Sequence, residues 1–227
     1  MKPKTIVLIR HGQSEGNVNK KIYKTTPDYA LHLTDVGIQQ AKQVGIDLHY
    51  MVGDELPYFY VSPFWRTRET YREIVKAWGI TDYENQNYYE DPRLREQEWH
   101  GKLPADGEDN NDMEDERDAF GHFYYRFKSG ESCADTFDRV SDVMNTVHRD
   151  FEKKNFPSTA VFVTHGMTIR VFLMRWFHMT VEKFEALANP KNCEMIILNL
   201  NSENKYELVT PLKTHVLKHK YQFDWGK

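Results

Sequence analysis

The sequence predicts an α/β protein with a mostly parallel central sheet, on three observations. The runs Thr5–Arg10, Tyr58–Val61 and 160–163 are short and continuously apolar, as strands buried on both faces of a sheet are, without the alternation of half-exposed strands. Each run is followed by a segment whose apolar residues recur at helical spacing, so strands and helices alternate along the chain. Hydrophobic residues make up 40% of the 227 residues and charged ones 28%, with 12 Gly and 9 Pro, which excludes collagen-like, low-complexity and wholly disordered chains. A chain of this length suits one domain with a substantial core, and no repeat or linker divides it.

The first strand, TIVLIR, has no polar interruption and is expected at the sheet centre. A helix follows in LTDVGIQQAKQVGIDLHYMV, with Thr34 as N-cap and Val36, Ile38, Ala41, Val44, Ile46, Leu48 and Met51 roughly tracking one face. The strand Tyr58–Val61 ends at Ser62 and Pro63 and leads into a helix over 64–79, with Gly79 as the C-cap. Ser132 opens a long amphipathic helix, in which Phe137, Val140, Val143, Met144, Val147 and Phe151 share a face. The strand over 160–163 precedes a helix in GMTIRVFLMRWF. A shorter helix near 181–188 and strands near Met195–Leu200 and 206–209 complete the chain, with right-handed crossovers between the parallel strands.

The segment 85–130 breaks this rhythm. It is poor in aliphatics, rich in acidic and aromatic residues and too long for an ordinary connection, so it is expected to form a cap insertion over one edge of the sheet within a single domain spanning 1–227. Its run DGEDNNDMEDERD holds eight carboxylates against one arginine and reads as a solvated face.

Thirty Lys and Arg against 34 Asp and Glu leave a net charge of -4, so the molecule as a whole does not attract nucleic acid or an anionic membrane surface. Any bound anion must be held by a local cluster. Cys133 and Cys193 form no CxxC pattern and no disulfide framework, which suits a reducing compartment. The apolar stretch at 6–9 is too short for a signal sequence, and no run approaches a membrane span, so a cytoplasmic protein is expected.

Chemistry collects at the strand ends. Arg10-His11-Gly12, Ser62 through Arg66, and His165-Gly166 each follow a predicted strand, and the C-terminal strand ends of an open parallel sheet meet at a ligand crevice. Two histidines and two arginines would share that crevice. Arginine forks match phosphate oxygens, and the glycines after the histidines permit close backbone approach. A histidine pair also suits a metal, but permanent cations beside the imidazoles disfavour one, and no metal or other cofactor is expected.

The segments LIRHGQSEGN, SPFWRTRET, LREQEWHG and VTHGMTIR resemble, in order and spacing, the four motifs of the histidine phosphatase superfamily, also called phosphoglycerate mutase-like. FYYRFKSGESCADTFDRV further resembles its broad-range acid phosphatase and plant mutase-like branch. The resemblance implies a three-layer α/β/α sandwich and a metal-independent phosphomonoesterase working through a phosphohistidine on small phosphorylated molecules. In that resemblance His11 is the nucleophile and Arg10, Arg66 and His165 are the phosphate clamp. Glu96 is the general acid, with Glu98 as its neighbouring rival; Asn17, Gly166 and Ser14 make lesser substrate contacts. LREQEWHG carries one more residue between the glutamate and Gly101 than the mutases do.

Two other functions use the same residues. A cofactor-dependent phosphoglycerate mutase would need further cations in the cap, where the run around 106–118 supplies carboxylates; a catalytically silent phospho-ligand-binding relative would have lost a clamp residue or Glu96. The remaining histidines and the five tryptophans are expected to pack or to face solvent. Oligomeric state and natural substrate are not legible at this level.

Overall fold

In a computed structural model that describes residues 2–83, 88–99 and 110–215, the side chains of 110–114 excepted, the strands form one six-stranded sheet in the order β3-β2-β4-β1-β5-β6. The strands are β1 (Thr5–Arg10), β2 (Tyr58–Val61), β3 (Tyr88–Glu90), β4 (Thr159–Thr164), β5 (Met195–Leu200) and β6 (Tyr206–Leu208). β1, β4, β2 and β3 run parallel, and β5 and β6 add an antiparallel edge. The helices are α1 (Glu15–Val18), α2 (Asp35–Val52), α3 (Trp65–Val75), α4 (Asn110–Phe120), α5 (Cys133–Phe151), α6 (Gly166–Trp176) and α7 (Val181–Ala186).

The unbroken apolarity of the central strands is explained by the two cores. Successive side chains of a strand point to opposite faces. Ile6 and Leu8 of β1, with Ala160 and Phe162 of β4, therefore pack against Val140, Val147, Ile169 and Phe172 of α5 and α6. Val7, Ile9, Val161 and Val163 turn to the other face, against Val44 and Leu48 of α2 and Tyr71 and Ile74 of α3. Every residue of β4 is buried, so it must be neutral on both faces. This is the α/β/α sandwich.

The caps follow the side-chain chemistry the sequence carries. Thr34 accepts from the Gly37 amide at the start of α2, and Ser132 from the Asp135 amide at the start of α5. The helix expected over 64–79 stops at Val75, tightens into a 3-10 turn over Lys76–Trp78 and ends at Gly79, whose φ of 72° is the left-handed cap conformation.

The expected insertion over 85–130 divides. Its first part is β3, the parallel edge strand beside β2, followed by a 3-10 turn over Pro92–Leu94 with Leu94 fully buried. β3 has only three residues and a half-exposed Tyr-Tyr-Glu sequence, so it lacks the apolar run that marks the inner strands. Residues 100–109, including Gly101 and most of the acidic run before α4, lie outside the described residues.

Candidate active site

Three strand ends are tied side by side by backbone hydrogen bonds that continue past the strands themselves. The His11 amide donates to the Thr164 carbonyl at 2.9 Å, and the Ser62 amide donates to the Val163 carbonyl at 3.0 Å. β4 thus holds the ends of β1 and β2 against its own end, and residues 11, 62 and 165 become neighbours. The turn after His11 is drawn in tightly. The Gly12 amide donates to Thr70 Oγ1 of α3, and a Cβ on Gly12 would stand 2.5 Å from the Gly37 carbonyl oxygen. After β4 the chain enters α6 at once, with His165 as N-cap and Gly166 as first residue; a Cβ on Gly166 would lie 3.2 Å from the Asn189 side chain.

The His11 ring is 3% exposed and fixed in one tautomer by its neighbours. Nδ1 stands 2.7 Å from the Gly12 carbonyl, which can only accept, so Nδ1 carries the proton. Nε2 is then the bare nitrogen, and Arg66 Nε donates to it at 3.3 Å. Burial first, then the charges of Arg66 and Arg10, hold the His11 pKa well below the ordinary 6.5, so the ring is neutral.

His165 lies behind His11, with ring centroids 5.2 Å apart and no exposed surface. Its Nε2 is 2.7 Å from Ser62 Oγ, while Nδ1 has no hydrogen-bond partner. Burial, then Arg66 and His11, hold its pKa well below 6.5 as well.

Arg10 donates from Nη1 to the Pro190 carbonyl at 2.7 Å, and its buried Nε has no partner. Arg66 is held by Asp28, as described below. Glu96 is presented by a loop that α5 and α6 grip from beneath. Arg139 donates to the carbonyls of Arg93, Arg95 and Glu96, and Thr168 donates to the Arg95 carbonyl. The Glu96 carboxylate accepts from the Gln97 amide at 3.0 Å and from the Met167 amide and Thr168 hydroxyl at 3.4 Å each.

Arg10, His11, Arg66 and Glu96 line one cleft of about 810 Å³, within the range of small-molecule sites. Ser14 and Asn17 line it too. The Ser14 amide donates to Asn17 Oδ1 and the Asn17 amide to the Ser14 carbonyl, so this pair also shapes the turn into α1. Glu98, the rival of Glu96, lies on the same wall. His165 and Gly166 are not on the wall; His165 reaches the site only through His11 and its own unpartnered nitrogen.

Several residues of the site carried no signal in the sequence. Asn192, on a turn before β5, donates to the His11 carbonyl and to Asn17 Oδ1. Tyr23 stands among Asp28, Arg66, Glu96 and Arg10; burial first, then Asp28, pushes its hydroxyl up to about 12, so it stays protonated. Ser62 was visible as a hydroxyl at a strand end, and only the register of β2 against β4 reveals its partner.

The cations of the cleft also differ from expectation. The wall facing His11 comes from the chain after α1, not from 104–122 alone, and it brings Lys20 and Lys24. With Arg10, Arg66, Arg95 and Arg117 these oppose three carboxylates, Asp28, Glu96 and Glu98, among the described residues, so the described lining of the cleft is cationic in a protein of net charge -4. The case against further cations rested on one segment, and the fold supplies them from another. Among the described residues no three His, Cys, Asp or Glu side chains stand together as a metal-ligand set, and no helix is long and apolar enough to cross a membrane.

Comparison with known proteins identifies the family and the fold. The family model of the histidine phosphatase superfamily (branch 1) matches residues 6–210. The chain is 41% identical over 218 residues to phosphoglycerate mutase-like protein AT74 of Arabidopsis thaliana, covering 91% of this chain and 68% of that one. It is 30% identical over 305 residues to broad-range acid phosphatase DET1 of Saccharomyces cerevisiae, covering 93% and 90%. Among solved structures, a mycobacterial glucosyl-3-phosphoglycerate phosphatase superposes with a TM-score of 0.69 at 20% identity over 94% of this chain and 100% of that one. At that identity the likeness concerns the fold.

Proposed function

The chain belongs to the histidine phosphatase superfamily (branch 1), and from that membership we propose that it is a metal-independent phosphomonoester hydrolase that passes its phosphoryl group through His11. The observation that carries this reading is the His11 tautomer. With the proton on Nδ1 and bonded to Gly12, the lone pair of Nε2 faces a cleft walled by Arg10 and Arg66.

Phosphoryl transfer needs little from a protein beyond an in-line nucleophile, neutralisation of the equatorial oxygens and a proton for the leaving group. Nε2 of His11 attacks phosphorus, and the ester P–O bond breaks with its electron pair going to the leaving oxygen. Glu96 gives that oxygen its proton. The resulting carboxylate then takes a proton from water, whose oxygen attacks the phosphohistidine and returns Nε2 and free phosphate. Arg10 and Arg66 supply the charge. The buried Arg10 Nε and His165 Nδ1, both without partners, are the groups a phosphoryl oxygen would satisfy. Asn17 and Ser14 line the cleft beside these groups, and Gly166 acts only by starting α6 directly after His165.

Rapid quenching after exposure to labelled substrate tests the reading. A phosphoenzyme that is acid-labile and alkali-stable is expected, and His11→Ala should abolish it and lower turnover on the order of 10³-fold or more. Label on another residue, or loss of activity in EDTA that a divalent ion restores, would overturn it.

The cationic wall favours a second reading, in which the substrate bears another anionic group and the enzyme isomerises phosphoglycerate rather than hydrolysing it. Lys20, Lys24, Arg95 and Arg117 are the observation on its side. Hydrolysis remains the preferred reading because the cleft is large and includes the exposed Asn17, Lys20 and Lys24, whereas a mutase must keep water from its phosphohistidine. The intact set of Arg10, His11, Arg66, Glu96 and His165 tells against a silent binding protein.

A further inference from the structure

Arg66, the residue best placed to clamp a phosphoryl group, already holds an anion of the protein itself. Its Nη1 donates to the Asp28 backbone carbonyl at 2.6 Å and to Asp28 Oδ1 at 2.9 Å, and its Nη2 donates to Oδ2 at 3.3 Å. Its Nε is on His11. These four hydrogen bonds draw on the five N–H donors a guanidinium has. The pair is shielded on one side only, the Arg66 side chain being 4% exposed and that of Asp28 23%.

We propose that Asp28 is a positioning residue that acts through Arg66, holding the guanidinium against His11 and competing with a bound phosphoryl group for the same fork. This rests on the phosphatase reading and deepens it. A carboxylate and a phosphate present the same paired oxygens to a guanidinium, so both cannot take the full fork at once. The Asp28 backbone carbonyl gives the competition a fixed geometry. It keeps Nη1 tethered to the 3-10 turn over Asp28–Ala30 when the carboxylate yields, so Arg66 keeps its aim and the carboxylate stays close enough to return.

The consequence lies in product release. Inorganic phosphate leaves the same cations that bind substrate, and binding that is equally tight for ground states and transition state slows turnover without speeding chemistry. A carboxylate poised to retake Arg66 lowers the affinity for both substrate and product. Asp28 therefore trades affinity for release.

The test measures binding of inorganic phosphate by isothermal titration, and KM and kcat for a phosphate monoester, in wild type, Asp28→Asn and Asp28→Ser. Removing the competing charge should tighten phosphate binding by about three- to tenfold, as expected for the loss of one partly exposed ion pair. KM should fall more than kcat, because the lost competition tightens the transition state as well as both ground states, so kcat/KM rises while slower phosphate release lowers kcat. A contact that served only to hold the fold would loosen binding when lost. Unchanged or weaker phosphate binding in either folded variant therefore overturns the proposal. Arg66→Ala separates this from failure of the phosphatase reading. If Arg66→Ala loses phosphate binding while Asp28→Asn matches wild type, only the role of Asp28 fails; if Arg66→Ala binds phosphate as wild type does, the reading of the site fails with it.

Discussion

Ser62 Oγ lies 2.7 Å from Nε2 of His165, so the end of β2 braces the histidine at the end of β4. Both residues are fully buried, and the contact sets which face His165 turns to His11. Ser62→Ala removes the brace and strands a buried nitrogen, at a cost of about 1–3 kcal/mol. Turnover should fall roughly tenfold, a drop of the size that 1.4 kcal/mol of misplaced charge stabilisation gives. Ser62→Thr, which keeps the hydroxyl, should recover most of it. Equal losses in the two variants would mean that packing at the strand end, not the hydroxyl, matters.

Glu96 should show its role through the leaving group. An alkoxide leaves poorly without a proton, whereas an activated aryl oxide scarcely needs one, so Glu96→Gln should slow alkyl phosphates by about 10²–10⁴-fold and p-nitrophenyl phosphate far less. Glu98→Gln, on the same wall, is the control. A larger effect there would transfer the role to Glu98, and a uniform loss over all substrates would leave Glu96 with no part in proton transfer.

The two buried histidines make a prediction about stability and pH. Both have pKa values well below 6.5 when folded, from burial first and then from Arg66. Above pH 6.5 neither state binds the protons, and folding is insensitive to them. Below it the unfolded chain takes up protons that the folded protein refuses, so stability falls as pH drops from 6.5 toward the folded values. Urea midpoints in phosphate-free buffers at pH 7.5, 6 and 5 should decline in that order, and His165→Asn should flatten the decline. A midpoint that rises on acidification would contradict the neutral assignment.

The same depression bears on activity. A nucleophilic imidazole must be unprotonated, and His11 stays so below pH 6.5. The acid limb of kcat/KM is therefore expected below 6.5, which is compatible with good activity in mildly acidic solution. Neutralising a nearby cation by Arg10→Gln should move that limb upward, because one of the charges that repels the proton is gone. An unmoved limb would assign it to another group.

Lys20 and Lys24 should matter for substrates with a second anion and not for p-nitrophenyl phosphate. Each is exposed, so Lys24→Gln or Lys20→Gln should raise KM for 3-phosphoglycerate by only about two- to fivefold. With a trace of 2,3-bisphosphoglycerate present, phosphate release should outrun formation of 2-phosphoglycerate. The reverse order would make the isomerase reading correct.

By itself the sequence determined the α/β class with its mostly parallel sheet and put the candidate site residues at the strand ends; the sandwich layering and the residue roles came with the family resemblance. Burial on both faces demands unbroken apolar strands, so TIVLIR and the run at 160–163 announced their place at the sheet centre, and residues directly after such strands cannot avoid the crevice at their ends. That is why Arg10, His11 and Arg66 could be read in advance, and why Ser132 and Thr34 were visible as caps, since local hydrogen bonds depend on neighbours in the chain. Tertiary structure alone decided what surrounds them. The pairing of Arg66 with Asp28, of Ser62 with His165 and of Asn192 with Asn17 joins residues between 38 and 175 positions apart. No periodicity encodes such pairs, because they arise from the register of three strands and the path of an irregular segment across their ends. β3 escaped for a related reason: a three-residue edge strand draws its stability from the partner it pairs with, and that partner is supplied by the rest of the sheet.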